Sequence, residues 1–144
     1  AIGKKGLAKN KFEGDKKTPI GTYSLGNLYY RKDRNPKPVT KLKCIPIEKN
    51  MGWCDDIKSK KNYNKLIKVN KKIKHEKLFR KDYKYDFMIP INYNSKRTKL
   101  GKGSAIFLHL TKNFNSTLGC VAIKKKDFLI LLKLINKNTK IRLT

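Results

Sequence analysis

The sequence has few acidic residues and few arginines. It contains ten Asp and Glu against 37 Lys and Arg, giving a net charge of +27, and only five of the basic residues are arginine. Proteins that read nucleic-acid bases usually rely on arginine, whose planar guanidinium fits phosphate and guanine edges. The composition therefore argues against specific nucleic-acid binding. We attribute the lysine excess to codon bias in an AT-rich genome together with weak attraction to a polyanion.

Long apolar runs and a leader peptide are also lacking. The most apolar stretch, DFLILLKLI (127–135), is far too short to span a bilayer. The chain opens abruptly at AIGKKG, so we expect a first strand or a leader to precede it. The length of 144 residues predicts one domain over 1–144, long enough to bury a core without metals or disulfide bonds, and we expect a monomer.

Cysteine and histidine are rare, with three and two residues. Cys44 and Cys54 are compatible with a disulfide in an oxidising compartment, but we favour reduced, half-buried packing residues. Asp55 and Asp56 have no histidine at ligand spacing, so no metal site is predicted. His75 lies among charged residues and is predicted to be solvated.

Alternation of apolar and polar residues predicts a mainly β fold with one or two helices. Residues 1–17 resemble a loop, 51–69 are predicted to be mostly irregular, and the segment from 71 is predicted to begin with a short helical turn. Pro46 favours an edge position for its strand. The predicted strand regions are 18–30 (strand, turn, strand), 41–50, 85–94, 104–111, 117–123 and 139–143.

One helix is clearly predicted, over 124–138. Its apolar residues are spaced as i, i+3, i+4 and i+7, which places them on one helix face. They are Phe128, Leu131, Leu132 and Ile135. Asp127 is the predicted N-cap, because a carboxylate accepts hydrogen bonds from the unpaired N–H groups of the first turn.

The stretch FLHLTKNFNSTLGCVAI (107–123) carries a histidine and a cysteine eleven positions apart. A cysteine nucleophile needs a base within reach, an orienting acceptor for that base and backbone N–H donors for the oxyanion. A return loop would bring Cys120 toward His109, and Gly119 permits a tight turn. Taken alone, the pattern favours a buried packing pair over a catalytic pair. The histidine precedes the cysteine, which argues against papain-like enzymes.

Three separated motifs resemble the L,D-transpeptidase catalytic domain, the YkuD-type family of peptidoglycan cross-linking enzymes. They are EGDKKTPIGTY (13–23), GSAIFLHL (103–110) and STLGCVAI (116–123), and MGWCDDIKSKKNYNKLI (51–67) resembles a segment of one family branch. The resemblance implies a β-sandwich with its main helix after the catalytic turn. It also implies peptidoglycan stem peptides as substrate, no cofactor, and a bacterial periplasmic or cell-envelope location.

The resemblance also implies roles for individual residues. Cys120 would be the nucleophile and His109 its general base, oriented by the backbone carbonyl of Leu110. Gly119 and Cys120 would supply the oxyanion donors, and Thr117 or Ser116 would line the site. By the same analogy carbapenems would acylate Cys120.

Further residues are candidates for lining the substrate cleft. Trp53 and Tyr63 are such candidates, although aromatic residues near Gly and Asn more often anchor loops. Asp56 either holds a loop or binds a free amine of the substrate.

The sequence departs from the family pattern at Leu118, where a second histidine is common, and at Ala122, where Arg or Asn is usual. These departures leave three activities open: transpeptidation, hydrolysis as an L,D-carboxypeptidase, and an inactive basic polyanion-binding module. A sortase-like acyltransferase is disfavoured, because the first arginine after Cys120 is Arg142.

Overall fold

A computed structural model describes residues 1–144 and contains twelve short strands and one helix. The elements are, in chain order, β1 (Leu7–Ala8), β2 (Thr18–Pro19), β3 (Gly21–Ser24), β4 (Leu28–Tyr30), β5 (Cys44–Pro46), β6 (Met51–Cys54), β7 (Leu66–Lys68), β8 (His75–Lys77), β9 (Phe87–Pro90), β10 (Phe107–Leu110), β11 (Val121–Ile123), α1 (Lys125–Leu134) and β12 (Lys140–Leu143). The expectation of a mainly β fold is confirmed.

A five-stranded sheet with the order β11-β10-β9-β4-β5 forms the centre of the molecule. Strands β10 and β11 run parallel, and β9 is antiparallel to both β10 and β4. Strand β5 lies at the edge, as Pro46 predicts, because proline cannot donate a hydrogen bond to a further strand. The three strands β9, β4 and β10 are buried on both faces, which explains their nearly continuous apolar sequences.

The two faces of the central sheet carry separate cores. On one face Leu108 and Leu110 pack with the helix residues Phe128 and Leu132. On the other face Phe107 packs with Cys120 and with strand β6 of a three-stranded sheet, β7-β6-β8. Successive residues of a strand point to opposite faces, so His109 shares the face of Phe107. The sheet β7-β6-β8 therefore covers the side on which the two candidate catalytic residues lie.

Helix α1 begins directly after β11 and ends earlier than predicted. Its N-cap is Lys124, whose backbone is extended, so the prediction of Asp127 as N-cap is wrong. The chain leaves β11 at Ile123 and enters the helix at once, so Asp127 lies in the first turn. There its negative charge interacts favourably with the helix dipole. The predicted apolar face is present: Phe128 and Leu132 are fully buried.

Residues 51–77 contain three strands that the sequence did not indicate. The segment predicted to be mostly irregular is so outside β6 and β7, and the turn predicted from residue 71 leads into strand β8. The three strands are only three or four residues long, so a period of two does not stand out in the sequence, while the backbone pairing of β6 with both neighbours fixes the sheet. His75 is not fully solvated: it is half-buried opposite Cys54, and its Nε2 is buried without a hydrogen-bond partner.

The loop predicted over 1–17 contains the two-residue strand β1, which pairs with β2. Cys44, Cys54 and Cys120 are all free thiols. The only helix has ten residues, and no helix is long and apolar enough to cross a membrane.

Candidate active site

A cavity of about 350 Å³ opens beside the ends of β10 and β11. Both His109 and Cys120 line it, together with residues from four other parts of the chain: 11–16, Asp55, 74–85 and 104–106. The two residues arrive there because β10 and β11 are parallel neighbours, paired Leu108 to Val121 and His109 to Ala122. Cys120 immediately precedes β11 and therefore lies next to Phe107, two residues before His109 on the adjacent strand.

The thiol of Cys120 is held by the backbone of the segment that leads into β10. Its Sγ donates to the carbonyl of Ala105 at 3.2 Å and accepts the N–H of Phe107 at 3.3 Å. Burial raises the pKa of Cys120 to about 12, the charge of Glu76 adds to this effect, and the N–H of Phe107 opposes it. Cys120 is therefore a thiol in the resting protein at neutral pH.

The imidazole of His109 is oriented as a neutral base. Its Nδ1 lies 2.9 Å from the carbonyl oxygen of Leu110. A carbonyl only accepts hydrogen bonds, so Nδ1 carries the proton and Nε2 keeps a free lone pair. Burial lowers the pKa of His109 to about 4, and the bond to Leu110 opposes that shift. This contact with Leu110 has the geometry that the family resemblance implies.

The turn before Cys120 is closed by the hydroxyl of Thr117. It donates to the carbonyl of Cys120 at 2.6 Å and accepts the N–H of Gly119 at 3.1 Å. Gly119 has φ 143°, and a Cβ there would lie 2.9 Å from the carbonyl oxygen of Lys17. Of the two expected oxyanion donors, the N–H of Gly119 is thus engaged by Thr117, whereas the N–H of Cys120 has no acceptor within the protein.

Thr18 ties the nucleophile turn to the N-terminal segment. Its side chain is fully buried, and its hydroxyl donates to the carbonyl of Gly119 at 2.8 Å and accepts the N–H of Gly3 at 2.9 Å. Thr18 belongs to the TPIGTY motif, but nothing in the sequence shows which distant group it contacts. Sequence reasoning missed this support of the site.

Glu76 and Tyr85 form a second group that sequence reasoning missed. Both line the cavity, and the hydroxyl of Tyr85 donates to Oε1 of Glu76. The ring of Tyr85 packs edge-on against His109, with centroids 5.2 Å apart, and against Phe107 at 5.8 Å. The charged, lysine-rich sequence around both residues gave no signal that they face a cavity.

The structure brings only some of the predicted lining residues to the cavity. Thr117 and Ser116 line it, while Trp53, Asp56 and Tyr63 do not. Leu118, which is 72% exposed, also lies in the lining, so the position of the family's second histidine presents an apolar side chain.

The three predicted residues outside the cavity have supporting contacts instead. The indole of Trp53 donates to Asn64, and its ring packs edge-on against Phe107 of β10. Asp56 accepts the N–H groups of Lys58 and Lys74 and so closes a loop. Tyr63 is fully buried and donates to Glu13, which itself lines the cavity.

No group of three His, Cys, Asp or Glu side chains is arranged to hold a metal ion. The site has instead a buried thiol, a neutral imidazole and a backbone N–H donor in one cavity. That combination is the one required for acyl transfer through a cysteine.

Comparison with protein-family models assigns the chain to a family. The family model for the L,D-transpeptidase catalytic domain, YkuD, matches residues 1–143, essentially the whole length. The protein therefore belongs to this family of peptidoglycan-directed, L,D-transpeptidase-type enzymes, and the resemblance drawn from the motifs is confirmed. No curated protein and no solved structure gives a significant match.

Proposed function

We propose that the protein is an L,D-transpeptidase in which Cys120 is the nucleophile and His109 the general base. The observation that carries the proposal is that the thiol of Cys120 and the imidazole of His109, bonded to Leu110, line one cavity. Family membership supports the reaction class. The substrate is the tetrapeptide stem of peptidoglycan, cleaved at the bond between its L-side carbonyl and its terminal D-residue.

In the first half-reaction the scissile carbonyl binds next to Cys120. The thiol gives its proton to Nε2 of His109 as the sulfur attacks the carbonyl carbon and a C–S bond forms. The tetrahedral intermediate then collapses and the C–N bond breaks. The imidazolium of His109 returns the proton to the departing amine, which leaves as the free D-residue. The product is a thioester on Cys120.

In the second half-reaction an amine of another stem peptide attacks the thioester. Its proton passes to Nε2 of His109, a new amide bond forms and the C–S bond breaks. The sulfur leaves as a thiolate and recovers the proton from His109. A water molecule following the same route would release the shortened peptide, which is the L,D-carboxypeptidase reaction.

The resting hydrogen bonds indicate how the reaction is controlled. The Sγ of Cys120 donates to the carbonyl of Ala105 in the resting site, so its S–H bond must turn toward Nε2 of His109 before the base can act. The N–H of Cys120 is available to the oxyanion at once. The N–H of Gly119 becomes a second donor only when its bond to Thr117 lengthens. We therefore infer that substrate binding, and not the resting site, completes the oxyanion hole.

The net charge of +27 supports a location beside anionic polymers of a bacterial periplasm or cell envelope. Such attraction weakens with ionic strength, because salt screens exposed charges over about 8–10 Å. Binding of the protein to isolated cell walls should accordingly decrease when salt is added.

The test is product analysis by mass spectrometry with a disaccharide tetrapeptide. We expect a cross-linked dimer and free D-residue from the parent protein, none from Cys120→Ala, and parent-like turnover from Cys44→Ala, whose thiol lies on the edge strand β5. Shortened monomer alone would assign the carboxypeptidase reaction. No product from the folded, reduced parent would overturn the proposal in favour of a basic polyanion-binding protein.

A further inference from the structure

One lysine of this lysine-rich chain is buried beside the nucleophile turn. Lys11 is 4% exposed and is the only lysine among the buried residues. Its side chain lines the active-site cavity together with Gly119 and Cys120. A charged ammonium is costly to bury unless it is paired and hydrogen-bonded. The general excess of surface lysine therefore does not explain this residue.

The side chain of Lys11 crosses a glycine to bring its ammonium to the nucleophile turn. A Cβ at Gly103, whose φ is 101°, would lie 2.9 Å from Cε and 3.2 Å from Cδ of Lys11. At its other end, Nζ lies 3.5 Å from the place that a Cβ of Gly119 would occupy. Because Gly119 directly precedes Cys120, the ammonium lies next to the backbone that supplies the oxyanion donors.

The ammonium of Lys11 keeps one N–H bond free. Nζ donates to Oδ1 of Asp15 at 2.5 Å and makes a long contact of 3.5 Å with the carbonyl of Phe12. The carboxylate of Asp15 is itself shared, since it also accepts the backbone N–H groups of Phe12 and Lys17. An ammonium has three N–H donors, so the third is available to a group that enters the cavity.

The charge of Lys11 acts on the reacting sulfur. Burial and the charge of Glu76 raise the pKa of the Cys120 thiol, whereas the N–H of Phe107 and the charge of Lys11 lower it. Lys11 therefore favours negative charge at this end of the cavity. The tetrahedral intermediate of acyl transfer carries such a charge on the former carbonyl oxygen, and a donor fixed beforehand stabilises it without reorganisation.

The backbone of the nucleophile turn does not offer two free donors. The N–H of Gly119 is bonded to the hydroxyl of Thr117 at 3.1 Å, and only the N–H of Cys120 has no acceptor. A charge-assisted hydrogen bond is roughly twice as strong as a neutral one. An ammonium N–H beside Gly119 would thus compensate for the engaged amide.

We propose that Lys11 is a catalytic residue whose ammonium donates a hydrogen bond to the oxyanion that forms when Cys120 attacks a carbonyl carbon. The inference rests on the proposed function for the type of reaction. It adds a charged side-chain donor to the backbone N–H of Cys120. An electrophile that reacts at a saturated carbon develops no oxyanion and should not need this donor.

The test compares two reactions of Cys120, each followed by peptide mapping. With p-nitrophenyl acetate, a C–S bond forms, the carbonyl oxygen becomes an oxyanion, and the C–O bond to the departing nitrophenolate then breaks. Iodoacetamide alkylates the same sulfur by displacement of iodide and forms no oxyanion. The ratio of the acylation rate to the alkylation rate therefore separates stabilisation of the oxyanion from the reactivity of the thiol.

In Lys11→Met this ratio should fall at least about tenfold, since loss of one oxyanion donor slows enzymes by about 10²–10³-fold. Alkylation should itself become slower, because a charge that favours the thiolate is lost. Lys11→Arg keeps a charged N–H donor and should retain more of the ratio than Lys11→Met. Lys9→Met removes an exposed lysine of the same segment outside the cavity and should match the parent in both reactions.

A purely structural role for Lys11 would give a different result. If Lys11→Met only loosened the site, the buried thiol would become accessible and alkylation would become faster. Faster alkylation in a folded variant, or a ratio within about threefold of the parent, would overturn the inference. Circular dichroism checks the fold. Lys11→Gln, which keeps a polar side chain at this position, repeats the test if the methionine variant does not fold.

The ester separates this inference from the proposed function, because it requires no recognition of a peptide. If a peptidoglycan tetrapeptide never acylates the parent, but the ratio falls in Lys11→Met, the oxyanion donor stands and the proposed substrate fails. If the tetrapeptide acylates the parent and Lys11→Met at the same rate, the inference is overturned while the proposed function stands.

Discussion

Replacing Thr18 with valine should destabilise the protein strongly, although the two residues differ only by a hydroxyl and a methyl group. The two side chains have nearly the same shape, so the change removes the hydroxyl and little packing. That hydroxyl serves two buried groups at once, the N–H of Gly3 and the carbonyl of Gly119. Both glycines are buried, so water cannot easily take its place.

The magnitude follows from those two contacts. A buried polar group left without a partner costs about 1–3 kcal/mol, and valine avoids the desolvation of the hydroxyl itself. We expect a loss of about 3 kcal/mol in the free energy of unfolding. For a chain of 144 residues, the unfolding entropy is about 0.3 kcal/mol/K, so the Tm should fall by about 10 °C.

Urea unfolding and thermal unfolding, followed by circular dichroism, measure both quantities. Thr18→Ser keeps the hydroxyl and should recover most of the loss. Thr22→Val is a matched control on the neighbouring strand β3, where the threonine is exposed, and should change stability by less than about 0.5 kcal/mol. A loss below about 1 kcal/mol for Thr18→Val, with an unchanged urea m-value, would refute the view that this hydroxyl ties the nucleophile turn to the fold.

Three further predictions concern titration and packing. The pKa of His109 is lowered to about 4, so between pH 6.5 and 4 the unfolded chain takes up a proton that the folded protein does not. As the pH is lowered through that window, the free energy of unfolding should decrease by at most about 3 kcal/mol. Urea titrations at a series of pH values measure this decrease, which should be smaller for His109→Gln. The pKa of Cys120 is raised to about 12. The rate of its alkylation by iodoacetamide, measured by mass spectrometry, should therefore increase about tenfold per pH unit from pH 7 to 10. A rate that levels off near pH 9 would indicate a thiol with an ordinary pKa. Phe128 is fully buried and stacked on Phe87, so Phe128→Ala should cost about 3–5 kcal/mol in urea unfolding; equal losses for it and for Ile130→Ala, at a half-exposed position, would contradict the assigned helix face.

The predictable parts of the fold are those in which buried apolar residues recur at a clear spacing along the sequence. Strand β10 is continuously apolar because both of its faces are buried, and helix α1 carries regularly spaced apolar residues because one of its faces packs on the central sheet. Strands β6, β7 and β8 were missed for the opposite reason. The strands of that small sheet are only three or four residues long, so a period of two does not stand out, and the segments between them are rich in lysine.

The residues of the candidate site also fall into those that the sequence predicts and those that it does not. His109, Cys120 and the turn residue Thr117 lie within one short stretch, so local spacing and motif sufficed to single them out. Glu76 and Tyr85 enter the cavity from β8 and the segment after it, and only the packing of one sheet over another places them there. Trp53 illustrates the converse, since its motif drew attention to it but its ring packs beneath the site rather than in it.

The central claim is that Cys120 forms a thioester with the help of His109, and intact-mass analysis tests it most directly. The parent protein, mixed with a peptidoglycan tetrapeptide and separately with a carbapenem, should gain the mass of one acyl group, and peptide mapping should place that group on Cys120. Cys120→Ala should gain nothing, and His109→Gln should acquire the adduct much more slowly. An adduct that persists in Cys120→Ala, or no adduct with either reagent in a folded and reduced parent, would contradict the account.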